Sequence, residues 1–91
     1  EGRAAVVVGG EWGFIDETGR LVIPAEYEWA MYLSEGLAPV EKSGKWGYID
    51  RAGTMVIEPR FDMANDVAGG YAEIEKDGKR GYIDRFGNPA R

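Results

Sequence analysis

Short apolar segments separated by glycine-centred breaks run the length of the chain. Near its middle, Leu37–Lys42 reads as one strand and Lys45–Asp50 as the next, with Ser43-Gly44 between them. Two such residues are the usual loop of a tight hairpin, which needs a positive φ where glycine stands. Counting outward from that loop sets Val40 opposite Gly47, Ala38 opposite Ile49 and Glu41 opposite Trp46. One face then carries Ala38, Val40, Gly47 and Ile49, the predicted core. The other carries Glu41, Trp46, Tyr48 and Asp50, a mixed aromatic and acidic surface. Pro39 falls at a non-hydrogen-bonded pair, where its missing N–H does no harm. Asp50-Arg51-Ala52-Gly53 has the Asp and Gly of a type I turn, the carboxylate accepting from the turn's own backbone. A third strand is expected over Thr54–Glu58, ended by Pro59. Beyond it Phe61, Ala64 and Val67 recur at three-residue spacing, predicting a short helical turn that lids the hairpin.

The same order of elements returns every 34 residues, without a gap, from Gly2 to Arg91. The chain reads as one repeat domain, 1–91, of units 2–35 and 36–69 and a partial unit 70–91. The core face of the first unit is Ala4, Val6, Gly13 and Ile15, and that of the third is Ala72, Ile74, Gly81 and Ile83. In unit one the third strand is expected over Arg20–Ile23, ended by Pro24, with Tyr27, Ala30 and Leu33 as the helical turn. Of the 22 positions shared by all three units, seven are identical, and four of those seven are glycine. Backbone geometry is therefore what the repeat keeps most strictly. Gly10, Gly44 and Gly78 stand in the hairpin loops, and Gly13, Gly47 and Gly81 follow the Trp position. Asp16, Asp50 and Asp84 open the turns. A 34-residue period is also that of helix-pair tetratricopeptide repeats, but glycines would break any helix in three places per unit. The expected fold is all-β: tandem three-stranded meanders, each with a short helical turn, stacked as an open solenoid or superhelical array. One unit cannot bury its apolar face alone, so neighbours must cover it.

Residues 36–53, Gly-Leu-Ala-Pro-Val-Glu-Lys-Ser-Gly-Lys-Trp-Gly-Tyr-Ile-Asp-Arg-Ala-Gly, resemble the WG-repeat family of bacterial proteins, named for its Trp-Gly pair. Ile57-Glu58-Pro59-Arg60-Phe61-Asp62-Met63-Ala64 is similar to the later part of that pattern, and the resemblance covers essentially the whole chain. Unit three departs by placing Arg80 where Trp belongs, and unit one has Glu11 for the usual Lys. The resemblance implies tandem all-β repeats, often many of them in large surface or secreted proteins. It implies no agreed biochemical activity.

Composition narrows the partners. The net charge is −5 and the pI about 4.7, which argues against nucleic acid, since phosphate binding needs a basic stripe. No apolar run approaches the roughly 20 residues of a membrane span, and acidity disfavours anionic membrane surfaces. The chain starts at Glu1 without an initiator Met and stops within its third repeat, which reads as a piece of a longer protein. An unpaired edge where the third unit stops favours association with another copy.

With no His and no Cys, catalysis is not expected, and no cofactor is implied. Identical acids in every unit suggest one structural job done three times, whereas an active site is normally a single asymmetric constellation. A calcium ladder along Asp16, Asp50 and Asp84 is disfavoured, because calcium wants six to eight oxygens and one Asp per turn, with Arg51 and Arg85 adjacent, supplies too few. Trp12, Trp46 and Tyr48 are candidate contacts, either packing between units or forming an exposed stripe that stacks on sugars or grips a protein. Trp29, Met31 and Tyr32 do not recur, standing where unit two has Met63, Asn65 and Asp66. They are a contact patch or the packing of a terminal unit. The functional expectation is a non-catalytic repeat module that presents an extended surface to a protein partner. Carbohydrate recognition through the aromatic stripe is the alternative.

Overall fold

The chain doubles back on itself at each two-residue loop and changes sheet at two sharp corners. The computed structural model describes residues 2–90, all of whose regular structure is β. Strands β1 (Ala4–Val8), β2 (Glu11–Ile15) and β3 (Leu21–Tyr27) form the first antiparallel sheet. The second comprises β4 (Trp29–Ala30), β5 (Leu37–Lys42), β6 (Lys45–Asp50) and β7 (Met55–Phe61). The third comprises β8 (Met63–Ala64), β9 (Tyr71–Lys76), β10 (Lys79–Asp84) and β11 (Pro89–Ala90). The hairpin registers match the sequence: Val40 pairs with Gly47, Ala38 with Ile49, and Glu41 with Trp46. Both loop residues have positive φ, Ser43 at 54° and Gly44 at 80°, the twist that a two-residue hairpin needs. Pro39 pairs with Tyr48, and its carbonyl accepts from the Met31 N–H, so its ring nitrogen faces β4 rather than β6.

Three expectations are corrected. Pro24 and Pro59 do not end the third strands but sit inside β3 and β7. The pairing of β6 with β7 jumps from Trp46–Phe61 to Tyr48–Ile57, so Pro59 lies in a bulge where no ladder N–H is missed. The expected helical turns are absent among the described residues. Instead the chain bends at Glu28 and Asp62, leaving one sheet and entering the next. A strand that turns this corner brings Tyr27, Ala30 and Leu33 into one core, and Phe61, Ala64 and Val67 into the other. The three-residue spacing therefore marks a corner, not a helix.

The third correction concerns which face is buried. Phe14, Ile23 and Tyr27 of the first sheet share a core with Ala38, Val40 and Ile49 of the second. Trp46, Tyr48, Ile57 and Phe61, on the other face of the second sheet, share a core with Ala72, Ile74 and Ile83 of the third. The middle sheet thus lends one face backward to the first sheet and one forward to the third, and is covered on both sides. The predicted core face of unit one fares differently: Ala4 is exposed, and Val6 and Ile15 are only partly buried. No earlier sheet lies against it in these residues.

Candidate functional site

The recurring acids hold the turns. Asp16 Oδ1 accepts from the Thr18 N–H at 2.9 Å, the Thr18 hydroxyl at 2.6 Å and the Arg20 N–H at 3.1 Å. Asp50 Oδ1 accepts from Ala52 and Thr54, and Asp84 Oδ1 from Phe86 and Asn88. Each turn closes with the glycine N–H donating to the aspartate carbonyl, as from Gly53 to Asp50 at 3.0 Å. The Thr18 hydroxyl and then the Arg20 N–H hold the Asp16 carboxyl below its ordinary value, and the Asn88 and Phe86 N–H groups do the same for Asp84. These carboxylates are occupied by their own backbone.

The recurring glycines also have assigned work. Gly10, Gly44 and Gly78 take φ of 88°, 80° and 78° in the hairpin loops. Gly13 and Gly47 are needed for space: a Cβ at Gly47 would lie 2.4 Å from the Ile57 carbonyl oxygen, and one at Gly13 2.6 Å from that of Ile23. The bulged third strand passes directly over this position. At Gly81 a Cβ would meet nothing within 4 Å.

Among the aromatic candidates, burial separates two groups. Trp46 is 6% exposed and Tyr48 0%, so neither offers a ring to a ligand; the expected aromatic surface of unit two is interior. Tyr48 donates its hydroxyl to the Asn65 carbonyl at 2.6 Å, and burial pushes its ionisation well above the usual range. Trp12 is partly buried, and Trp29 remains 50% exposed. Their rings lie 5.1 Å apart at 41°, where β2 meets the corner into β4. Tyr32 is 62% exposed, with its hydroxyl on Asp66 Oδ2 at 3.0 Å. Arg80 occupies the Trp position of the third unit, exposed, with Nη1 3.8 Å from Glu73.

Sequence reasoning missed a set of staples between successive connectors. Ser34 Oγ donates to the Val67 carbonyl at 2.7 Å, and the Glu35 carboxylate accepts from the Gly69 and Gly70 N–H groups. Together with Tyr32 on Asp66, these join residues 33 to 35 positions apart, one repeat length. The signal lay in polar residues of one connector that have no counterpart in the next.

Three consecutive antiparallel sheets built from one glycine-punctuated pattern define an all-β tandem-repeat protein. The WG containing repeat matches residues 12–46 and again 46–79, and the chain belongs to that family. Both matches begin at a Trp of the Trp-Gly pair, the position over which each bulged strand bends. No curated protein and no solved structure matches the chain.

Proposed function

We infer that this chain is a non-catalytic interaction module, an array of stacked β-units whose outer surface receives a protein partner. One observation carries the reading: the recurring turn acids and the recurring aromatics between sheets, Phe14, Trp46 and Tyr48, are taken up in turns and cores, whereas Trp29 and Tyr32, found in one unit only, stand half or more exposed. Packing must be solved in every unit, so residues that differ between units are the ones left for recognition. In this reading the sheets continue as an open solenoid, each lending its second face to the next. An uncovered terminal sheet also leaves self-association as a secondary mode.

The carbohydrate alternative drew on Trp12, Trp46 and Tyr48. With Trp46 and Tyr48 inside a core, it rests on Trp12 and Trp29, whose rings are tilted rather than coplanar. The test is retention on immobilised candidates, a protein partner on one support and a cell-wall glycan on another. The module reading expects Trp29→Ala and Tyr32→Ala each to weaken protein retention by about tenfold, on the scale of an aromatic contact residue. Turn variants such as Asp50→Asn should keep it. Retention on the glycan support, lost with Trp29→Ala, would favour the sugar instead. A chemical activity abolished by Asp50→Asn in a folded protein would overturn the non-catalytic reading.

A further inference from the structure

The second and third sheets each begin with a short strand from the corner before them. β4 pairs with β5 and β8 with β9, setting Ala30 opposite Val40 and Ala64 opposite Ile74. The Met31 N–H donates to the Pro39 carbonyl at 2.9 Å, and the Asn65 N–H to the Glu73 carbonyl at 3.0 Å. The first sheet has no such strand among the described residues, and β1 is its edge. The hairpin register turns the backbone polar groups of Ala4, Val6 and Val8 toward β2 and those of Ala5 and Val7 outward. Ala5 and Val7 hold the places of Pro39 and Glu41, and their outward groups have no backbone partner among the described residues.

The face beside that edge lacks its cover as well. In unit two Ala38, Val40 and Ile49 are fully buried and share one core with Tyr27, Ala30 and Leu33 of the corner. Met55 packs on the same core. In unit three Ala72, Ile74 and Ile83 share a core with Phe61, Ala64 and Val67. The places of Ala38, Val40, Ile49 and Met55 are held in unit one by Ala4, Val6, Ile15 and Leu21. All four are exposed or only partly buried, Leu21 at 49%. The turn glycines mark the same difference. A Cβ at Gly53 would lie 3.2 Å from the Ile23 side chain, and one at Gly87 3.2 Å from that of Ile57, whereas one at Gly19 would meet nothing within 4 Å.

The chain itself shows twice what fits such an edge and face. Tyr27-Glu28-Trp29-Ala30-Met31-Tyr32-Leu33 and Phe61-Asp62-Met63-Ala64-Asn65-Asp66-Val67 differ at most positions. Both nevertheless bury an aromatic, an alanine and an aliphatic side chain at three-residue spacing. Backbone bonding to an open edge supplies affinity in strand addition, and side-chain fit supplies specificity. We propose that the open edge of β1, with Ala4, Val6, Ile15 and Leu21 beside it, binds an extended segment of a partner polypeptide carrying that aromatic-x-x-Ala-x-x-aliphatic pattern. The partner's alanine lies opposite Val6, and its N–H groups donate to the Ala5 and Val7 carbonyls. This site is additional to the interaction-module reading and uses neither Trp29 nor Tyr32 as a contact.

The test titrates the chain into a fluorescein-labelled, amidated peptide of residues 58–68 and follows anisotropy. Saturable binding is expected, with amide exchange slowed at Ala5 and Val7 by nuclear magnetic resonance. Backbone N-methylation of the peptide at Asp62 and Asn65 removes the two donors used at the third sheet, and should weaken binding about tenfold or more. Val6→Lys should also weaken it about tenfold or more, because an unpaired charge would lie under apolar cover. Leu21→Lys, at a half-exposed position that the fold tolerates more easily, should weaken it about fivefold. Val8→Lys makes the same change in charge where units two and three carry Lys42 and Lys76, and should leave affinity within about twofold. Equal effects of Val8→Lys and Leu21→Lys would mean diffuse attraction and overturn the site. So would indifference to N-methylation, no binding at all, or shift changes confined to β5 or β9, which mark displacement of a resident corner. A peptide that fails leaves protein retention through Trp29 and Tyr32 untouched, so this site falls without the module reading.

Discussion

Gly47 and Gly81 hold the same place in the repeat, yet their surroundings differ. The bulged β7 leaves no room for a Cβ at Gly47, whereas the equivalent space over Gly81 is open. Gly47→Ala should lower stability by about 1–3 kcal/mol through overpacking against backbone that cannot yield. Gly81→Ala should stay within about 0.5 kcal/mol. Denaturant titration of both variants checks the difference, and equal costs would contradict the close approach. The turn acids make a second prediction. Asp16 and Asp84 ionise below their ordinary 3.8 in the folded chain, Asp16 first through the Thr18 hydroxyl and Asp84 first through the Asn88 N–H. Asp62 does so through Lys45. The unfolded chain then binds more protons than the folded one, so these groups stabilise above about pH 4. Their contribution fades as pH falls below that toward the depressed folded values. Asp16→Asn should flatten this acid limb in a circular-dichroism titration; an unchanged slope would show that the turn bonds do not couple to ionisation.

At the scale of elements, hairpins and turns were legible because loop glycines and turn aspartates act locally. A two-residue loop fixes the register of β5 and β6 whatever lies above or below them. What could not be read was the fate of each face. Alternation separates Ala38 and Ile49 from Trp46 and Tyr48 but does not reveal that a second sheet covers the latter pair. Corner packing was hidden for a related reason: Tyr27, Ala30 and Leu33 mimic helical spacing when a strand bends between sheets at Glu28. The Trp12–Trp29 pair was half legible. Trp29 was marked by its failure to recur, but nothing in the spacing brought it to Trp12 across the corner. Burial sets the prediction here. Trp46→Ala removes a large core ring and should cost about 3–5 kcal/mol, while Trp29→Ala should cost well under half of that. Thermal denaturation of the two variants checks it, and comparable losses would contradict the division.

For the whole molecule, the consequence of double-faced sheets is cooperativity. The described residues extend over 39 × 25 × 15 Å, and the middle sheet contributes side chains to both cores. Val40 on β5 and Ile49 on β6 point into one core, while Leu37 on β5 and Trp46 and Tyr48 on β6 point into the other. Losing either core therefore uncovers the sheet on which the other depends. Far-ultraviolet dichroism and tryptophan fluorescence should report one coincident transition, and Ile49→Val should shift both by the same about 1 kcal/mol. Two separable transitions would mean that the sheets are independent. The claim beneath all of this is that repeated aromatic residues lying between two sheets, Phe14, Tyr48 and Trp46 among them, are consumed inside the array, while the unrepeated Trp29 and Tyr32 face outward. Single-tryptophan variants test it most directly. With Trp12 and Trp29 replaced by Phe, the remaining Trp46 should emit at short wavelength and resist acrylamide quenching; with Trp12 and Trp46 replaced by Phe, Trp29 should emit at longer wavelength and quench readily. Equal quenching of the two, in variants that remain folded, would contradict it.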